Sequence, residues 1–522
     1  MILPQLDDDL FDENPFGKPF TDEDFDALES IVTSTGATFW NSTPQLQKVA
    51  WEAFNRDASA WALLLCLIIN HMSRLEPHVV LVAKNGKPGV GNVGSELEDS
   101  TATSMYAALL GDTGGGKSEL FKLANGLIPP EYKISDATAQ GIYKEFACTD
   151  NSYQEKGING DPIGEPYRAN IYHTHSIVLQ ATEVDALTAE FDRPGTKTPA
   201  ALRKLWIGES DGTHVSDQKN RVALRMGTYR FAGIWGVQPE KAAGILADVA
   251  GGTPQRWTWA PAEEFRDTVV RTPPPSNTTF PRPAWNIGGN LYSGVGKRDM
   301  PDVIGPDTQL PSPIWVHWSP KMHQEIPPLQ VIAKEARRKV RKARLAGALT
   351  DDMRRTARRV YMDSHIILTR IKAAAGLAFF HGRGGISDLD WELSEYLMKV
   401  SLSCLSEAWI AVEDVREEET IKEGEDHGKR MAASDAERAS YKQERLKKLA
   451  QTLLKRIKDA PHTKTSLLKG WKSGKYRDEA TEAFESLIDS GYVETDYKGK
   501  LWTVKDGVYI RPDGYSETEF IK

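Results

Sequence analysis

At 522 residues the chain exceeds what one hydrophobic core usually supports, so two to four domains are expected, and a composition 40% apolar and 26% charged is that of a soluble globular protein. Three widely separated cysteines, Cys66, Cys148 and Cys404, form no C-x-x-C pair, which argues against zinc ribbons and a disulfide framework and points to a reducing compartment. The longest apolar run, Trp61 to Ile69, is half a membrane span and the first residues lack the pattern of a signal peptide, so a cytoplasmic protein without a membrane partner is expected.

In chain order, residues 1–104 open with an acidic lead. Apolar spacing from Phe39 to Arg74 then predicts two packed helices, and Val79 to Val82 a strand. Residues 105–265 alternate strands with helical stretches, which predicts an α/β core on a parallel sheet: strands at Met105–Leu110, Ser176–Gln180 and Tyr229–Val237. Residues 266–330 are proline-rich and read as an extended connection with short strands. Helical periodicity returns over 331–411, a charged helical linker covers 412–445, and 446–522 show helix, short helix, longer helix and β-ribbon, the order of a winged helix.

The net charge of −8 is unevenly spread. Residues 331–360 hold eleven Lys/Arg against three acids, and Lys442 to Lys475 eleven against two. Such tracts can be solvated helix faces; two of them in one chain favour a polyanion partner, here DNA.

The most specific signal is Gly111-Asp112-Thr113-Gly114-Gly115-Gly116-Lys117-Ser118, a complete G-x-x-x-x-G-K-[ST] phosphate loop between a predicted strand and a predicted helix. Its glycines let backbone N–H groups surround phosphates, Lys117 reaches the β- and γ-phosphates, and Ser118 holds Mg²⁺, so ATP and Mg²⁺ are the expected cofactors. Hydrolysis also needs a carboxylate at the tip of a strand beside the loop's own strand. Glu183 is the expected water-activating residue there and Asp185 a metal ligand, although Thr182 stands where the usual pair has its Asp. Gln238 ends the third strand, in the place of a polar sensor, and Arg256, after Gly251-Gly252-Thr253-Pro254, suits an arginine finger that completes a neighbouring subunit's site.

These residues, together with "RDASAWALLLCLI" (56–68), "EVDAL" (183–187), "GVQP" (236–239), "GGTPQRW" (251–257) and "RIKAAAGLAFFHGR" (370–383), resemble the ATP-binding proteins of actinobacterial phages, prophages and integrative elements, helicase-like ATPases often described only as a domain of unknown function. The resemblance spans about residues 39–410. It implies a ring-forming P-loop core related at a distance to superfamily 3 and MCM-like AAA+ helicases, a helical lid in which Arg370 senses phosphate, a hexamer as the favoured assembly, contacts with other replication proteins, and a bacterial host cell.

The resulting expectation is a Mg-ATP-dependent oligomeric DNA motor, a replicative helicase or helicase loader. Two rivals stay open: a DNA translocase for packaging or defence, and a nucleotide-switched DNA-binding initiator or regulator. DNA contacts are expected near the longer helix of the winged pattern, from Lys464, Lys469, Lys472, Lys475 and Arg477, and on its wing from Tyr497, Lys498 and Lys500.

Overall fold

A computed structural model describes residues 38–81, 100–112, 114–213, 221–248, 252–263, 273–287, 290–292, 299–346, 351–459, 462–471, 474–495 and 502–504. Thr113, Gly251, Lys472, Tyr497, Lys498, Lys500 and the acidic lead therefore lie outside the described residues. The chain divides into two compact units, Met1–Val415 and Arg416–Lys522.

The first unit begins with helices α1 (Pro44–Asn55) and α2 (Ala60–Ser73) and strands β1 (Val79–Leu81) and β2 (Thr101–Ala102). Next come β3 (Tyr106–Leu110), α3 (Lys117–Leu127), β4 (Lys133–Ile134), α4 (Ala139–Phe146) and a long hairpin, β5 (Ala147–Lys156) with β6 (Pro162–Tyr172). Strand β7 (Ser176–Ala181), α5 (Asp185–Asp192), α6 (Thr198–Ile207), β8 (Asp211–Thr213), β9 (Val222–Leu224), β10 (Arg230–Val237), α7 (Ala243–Ala247) and β11 (Trp257–Pro261) follow. Four short strands, β12 (Trp285–Ile287), β13 (Asn290–Tyr292), β14 (Val303–Ile304) and β15 (Ile314–Trp315), precede α8 (Pro320–Leu345) and α9 (Asp351–Phe380). Helix α10 (Asp388–Asp459) starts in the first unit and ends in the second, which adds α11 (Lys464–Leu467), α12 (Lys475–Asp489), β16 (Val493–Thr495) and β17 (Trp502–Val504).

The fold is α/β, around a five-stranded parallel sheet ordered β11-β3-β10-β7-β4. Strands β3, β7, β10 and β11 are buried at every residue, as expected of strands covered on both faces, which read as apolar runs rather than alternations. The order corrects one expectation. Strand β7, which leads to Glu183, is not beside β3; β10 lies between them and pairs with both. Because all five strands run parallel, the chain leaves each of them at one edge of the sheet, and that edge collects the polar residues singled out above.

Helix α2 is buried at all fourteen of its residues, since its AWALLLCLIINHMS sequence offers no polar face, and a helix apolar all round belongs inside. Its C-terminal carbonyls need partners there. Arg230, fully buried on β10, donates to the carbonyl of Met72 in the last turn and to those of Leu75, Glu76 and Val79 in the segment that follows, and so ties the end of the helix to the sheet. Residues from 39 to 412 share one apolar core, so the helical region before the sheet, the sheet and the helices after it form one packed body. The proline-rich stretch supplies edge strands to two smaller sheets: β14 pairs with β6 and β15 with β1. The β5–β6 hairpin had no counterpart in the predicted elements, because its strands are polar and glycine-interrupted and carry no apolar alternation.

In the second unit the last turns of α10 pack with α11 and α12 around Leu446, Leu453, Leu467, Phe484 and Leu487, and β16 pairs antiparallel with β17. No helix among the described residues is long and apolar enough to cross a membrane.

Candidate functional site

The loop between β3 and α3 is held from both sides. Gly111 N–H donates to the Val237 carbonyl at the end of β10 (3.0 Å), and Ala262 N–H, just past β11, donates to the Leu110 carbonyl (2.6 Å). Gly114 and Gly116 have φ of 95° and 71°, conformations that side chains disfavour, and Gly116 in this state forms the N-terminal cap of α3. That turn sets Lys117 and Ser118 in the first turn of α3, at its positive end.

Lys117 is buried, and its Nζ donates to the carbonyls of Gly111 (2.7 Å) and Asp112 (2.8 Å). Its stem runs past β10: a Cβ at Gly236 would lie 2.7 Å from Lys117 Cδ and 2.0 Å from the Thr182 carbonyl oxygen. Gly236 is thus the residue that lets the lysine, β10 and the turn after β7 approach one another. Burial lowers the Lys117 ammonium below its ordinary range, opposed by Asp112, Glu263 and Glu183. The Lys117 stem and the turn after β7 that leads to Glu183 thus meet at Gly236 although the chain separates them widely.

Glu183 is exposed directly after β7, while Asp185 begins α5 and accepts from Lys241 Nζ at 2.7 Å. Lys241 sits in the short turn after β10, so this pair ties the ends of two neighbouring strands, and the hydrogen bond it donates to Asp185 raises the pKa of the Lys241 ammonium. Gln238, half-buried, follows β10 directly. Sheet topology has brought loop 111–118, Glu183, Asp185 and Gln238 to one edge.

The two arginines go elsewhere. Arg256 was expected to reach out of its own subunit; instead it is buried, its Nη1 donates to the Gly252 carbonyl (2.5 Å), and its guanidinium lies 5.5 Å from the Trp206 ring centroid. The turn Pro254–Arg256 runs directly into β11, and that pairing draws the side chain inward. Burial lowers the Arg256 pKa to about 10. In this conformation it is not presented to a neighbouring chain. Arg370 is likewise internal, 3.8 Å over the Trp391 ring and bonded to Ser394 Oγ (3.2 Å), the Trp391 carbonyl (3.2 Å) and Glu395 (3.1 Å). Its donors bind neighbouring helix residues rather than an open phosphate site.

Two carboxylates at the loop were missed. Glu263 follows β11, and a Cβ on Gly115 would stand 2.9 Å from its Oε1. Glu407 of α10 is half-buried, and burial, then the charges of Asp112 and Glu263, push its carboxyl up to about 7. Glu263 was findable, since a fifth parallel strand at Trp257–Pro261 delivers the following residue to the same edge; Glu407 carries no local signal. Also missed was a buried amide triangle. Asn70 of α2 donates to Asn125 of α3 (2.9 Å), Asn125 donates to Gln180 of β7 (2.9 Å), and Gln180 donates back to Asn70 (3.2 Å). It locks the helix after the loop to the strand before Glu183.

Other constellations resolve as structure. Thr43 Oγ1, His381 Nε2 and Asp390 are linked at 3.0 Å in both steps, the connectivity of a hydrolase triad. Thr43, however, caps α1, and Asp390 also accepts from Arg383 and Ser387, so the chain is a joint between helices. Cys66 and Cys404 are buried, whereas Cys148 is exposed on β5. A cleft of about 930 Å³, lined by His78, Trp285, Asp299, Trp315 and His317 among others, borders none of loop 111–118.

The Ser118 hydroxyl in the first turn of α3 and the Glu183 and Asp185 carboxylates after β7 are hard oxygen donors of the type Mg²⁺ takes, and they lie at the same edge of the sheet as the N-terminus of α3, so in chemical type the residues fit a Mg-nucleotide. Among the described residues no group of three or more His, Cys, Asp or Glu side chains is placed to hold a metal ion. No protein-family model matches the chain, and no curated protein is similar to it at a significant level.

Proposed function

We propose that the protein is a Mg²⁺-dependent ATPase with a P-loop core, working on DNA as a helicase or helicase loader. One observation carries the reading: a full G-x-x-x-x-G-K-[ST] loop joins β3 to α3 at the C-terminal edge of a parallel sheet, with its lysine stem at Gly236, where the turn after β7 that leads to Glu183 also comes close. In this reading α9 and the start of α10 are the lid, and the helix–helix–helix–ribbon order of the second unit is a winged helix.

Each residue has one task. Lys117 exchanges the carbonyls of Gly111 and Asp112 for the β- and γ-phosphate oxygens, which the backbone of residues 114–116 and the end of α3 also receive. Mg²⁺, held by Ser118 and Asp185, would neutralise phosphate charge when bound. To take part, Asp185 has to release Lys241. Glu183, exposed and uncapped by α5, orients the attacking water, and Gln238 on the intervening strand is the second polar group that can hold it. Arg256 and Arg370, both turned inward, have no part in the step as they stand, and neither is presented to a neighbouring subunit.

That inward placement of both arginines favours a second reading, a nucleotide-switched DNA-binding regulator in which ATP controls conformation rather than repeated movement. Turnover separates the two. A motor is expected to hydrolyse ATP faster when DNA is added, and Glu183→Gln to bind ATP while losing that turnover; a switch changes DNA affinity with bound ATP and turns over slowly with or without DNA.

A further inference from the structure

The second unit was expected to meet DNA through its longer helix, yet α12 is an acidic element. Between Lys475 and Asp489 it carries Asp478, Glu479, Glu482, Glu485 and Asp489 against Lys475 and Arg477. Asp478, Glu482, Glu485 and Asp489 are exposed. Three of its carboxylates consume cations of the basic tract: Glu479 pairs with Arg445, Glu482 with Lys442 (3.0 Å) and Glu485 with Lys464 (3.1 Å). Arg456 is also spent internally, over the Trp471 ring and on the Leu467 carbonyl (3.0 Å). With those pairs made, the charges left on α12, Asp478 and Asp489 against Lys475 and Arg477, cancel, so a phosphate backbone brought to it would meet no net positive charge.

The other side of α10 differs. Lys447, Lys455 and Lys458 recur at spacings that keep them within a stripe about 80° wide on a 3.6-residue helix and about 16 Å long. Lys455 and Lys458 are exposed and Lys447 is half-buried, and no described carboxylate pairs with any of them. The one acid in the same stripe, Glu444, is held by Lys448 at 2.8 Å. Gln451 stands between the lysines and adds an amide donor. The apolar face, with Leu446, Ala450, Leu453 and Ile457, points into the unit's core and leaves this stripe outward.

We infer that this lysine ridge on the last turns of α10 is the surface of the second unit that docks the phosphate backbone of duplex DNA, with α12 taking no part. The inference rests on the DNA-acting reading above and names the surface that serves it. Charge complementarity selects the partner: three ammonium groups with no described carboxylate partner, about 12 Å and about 4.5 Å apart along the helix, can each reach a phosphate of a nucleic-acid backbone, and contacts of this kind give affinity without sequence choice.

The test uses the full chain and a fluorescent duplex of arbitrary sequence, with binding followed by anisotropy between 50 and 200 mM salt. Lys447→Gln/Lys455→Gln/Lys458→Gln together should weaken binding roughly 10- to 100-fold and flatten the log–log salt slope by about 2.7, from three lost phosphate contacts. The matching Lys→Arg triple, which keeps the charges, should bind like the parent, and so should Lys475→Gln/Arg477→Gln on α12. If the Gln triple binds like the parent, the ridge is not the docking surface, whether or not the α12 variant loses affinity, and the DNA-acting reading survives. If the parent chain fails to bind duplex even at 50 mM salt, the DNA-acting reading falls and takes the ridge with it. Loss in the Arg triple equal to that in the Gln triple would also overturn the inference, because it would show a packing role rather than a charge role.

Discussion

The edge of the parallel sheet and the outer face of the C-terminal helices both gather charge, but they spend it differently. At the sheet edge the key cation is buried: Lys117 lies on two backbone carbonyls, while the acids Glu183 and Glu263 are exposed. On the C-terminal helices Lys442, Arg445 and Lys464 are neutralised by carboxylates of α12, while the outward stripe has no described carboxylate partner. Burial, not the count of charged residues, decides what each charge can do. A buried charge is positioned and specific, whereas an exposed one contributes long-range attraction that salt screens.

The largest expected effect breaks the sheet-edge half of this contrast. Glu183→Gln should lower ATP turnover on the order of 10²–10⁴-fold with nucleotide affinity kept, the loss usual for a removed general base. Asp185→Asn is the control, read by steady-state turnover over a Mg²⁺ titration: it should raise the Mg²⁺ requirement more than it lowers the limiting rate. The reverse pattern would exchange the two roles.

Next is the joint that holds the edge together. Asn70→Leu removes one corner of the amide triangle and leaves Asn125 and Gln180 short of partners, at a cost of roughly 1–3 kcal/mol by denaturant unfolding. Because Gln180 leads to Glu183 and Asn125 follows the loop, turnover should fall as well. A variant of unchanged stability would show that the triangle is dispensable.

Glu407 gives a pH signature. Its folded-state carboxyl titrates at about 7 against an ordinary 4.5, so between those values the folded state holds a proton that the unfolded state has lost. Stability therefore falls as pH rises through that window and is flat above it. Glu407→Gln should relieve this penalty, on the order of 1–2 kcal/mol at pH 8 and much less at pH 5. Melting curves at the two values decide, and an equal gain at both would assign the effect to packing.

The smallest effect is expected at Lys241. The pair with Asp185 is nearly half exposed on both sides, so solvent screens it and Lys241→Gln should leave stability nearly unchanged. Its value is as a sharpener: with Lys241 gone, Asp185 is released for Mg²⁺, and the apparent Mg²⁺ affinity should rise.

Much of this layout was legible. Apolar runs at Tyr106–Leu110, Ser176–Ala181 and Arg230–Val237 read as buried parallel strands because burial on both faces removes alternation, and the glycine loop announced itself by spacing. Their lateral order was not legible, since periodicity says nothing about which strand pairs with which, and β10 slipped between the two expected neighbours. Side-chain direction was the second blind spot. Arg256 after a glycine turn reads as an outward finger, and only the pairing of β11 with β3 turns it under Trp206. Likewise the basic tract from Lys442 to Lys475 reads as one patch, and only the packing of α12 shows which lysines are already neutralised.

The central claim, that loop 111–118 is a nucleotide site whose lysine reaches the phosphates, is tested most directly by titrating Mg-ATP calorimetrically into the full chain and into Lys117→Ala, with circular dichroism to confirm that both are folded. The account predicts saturable one-to-one binding to the parent and loss of that binding, or at least a tenfold or greater weakening by about 1.4 kcal/mol or more, in the variant. Equal affinity of the two folded proteins, or no binding of Mg-ATP to the parent at millimolar concentration, would contradict it.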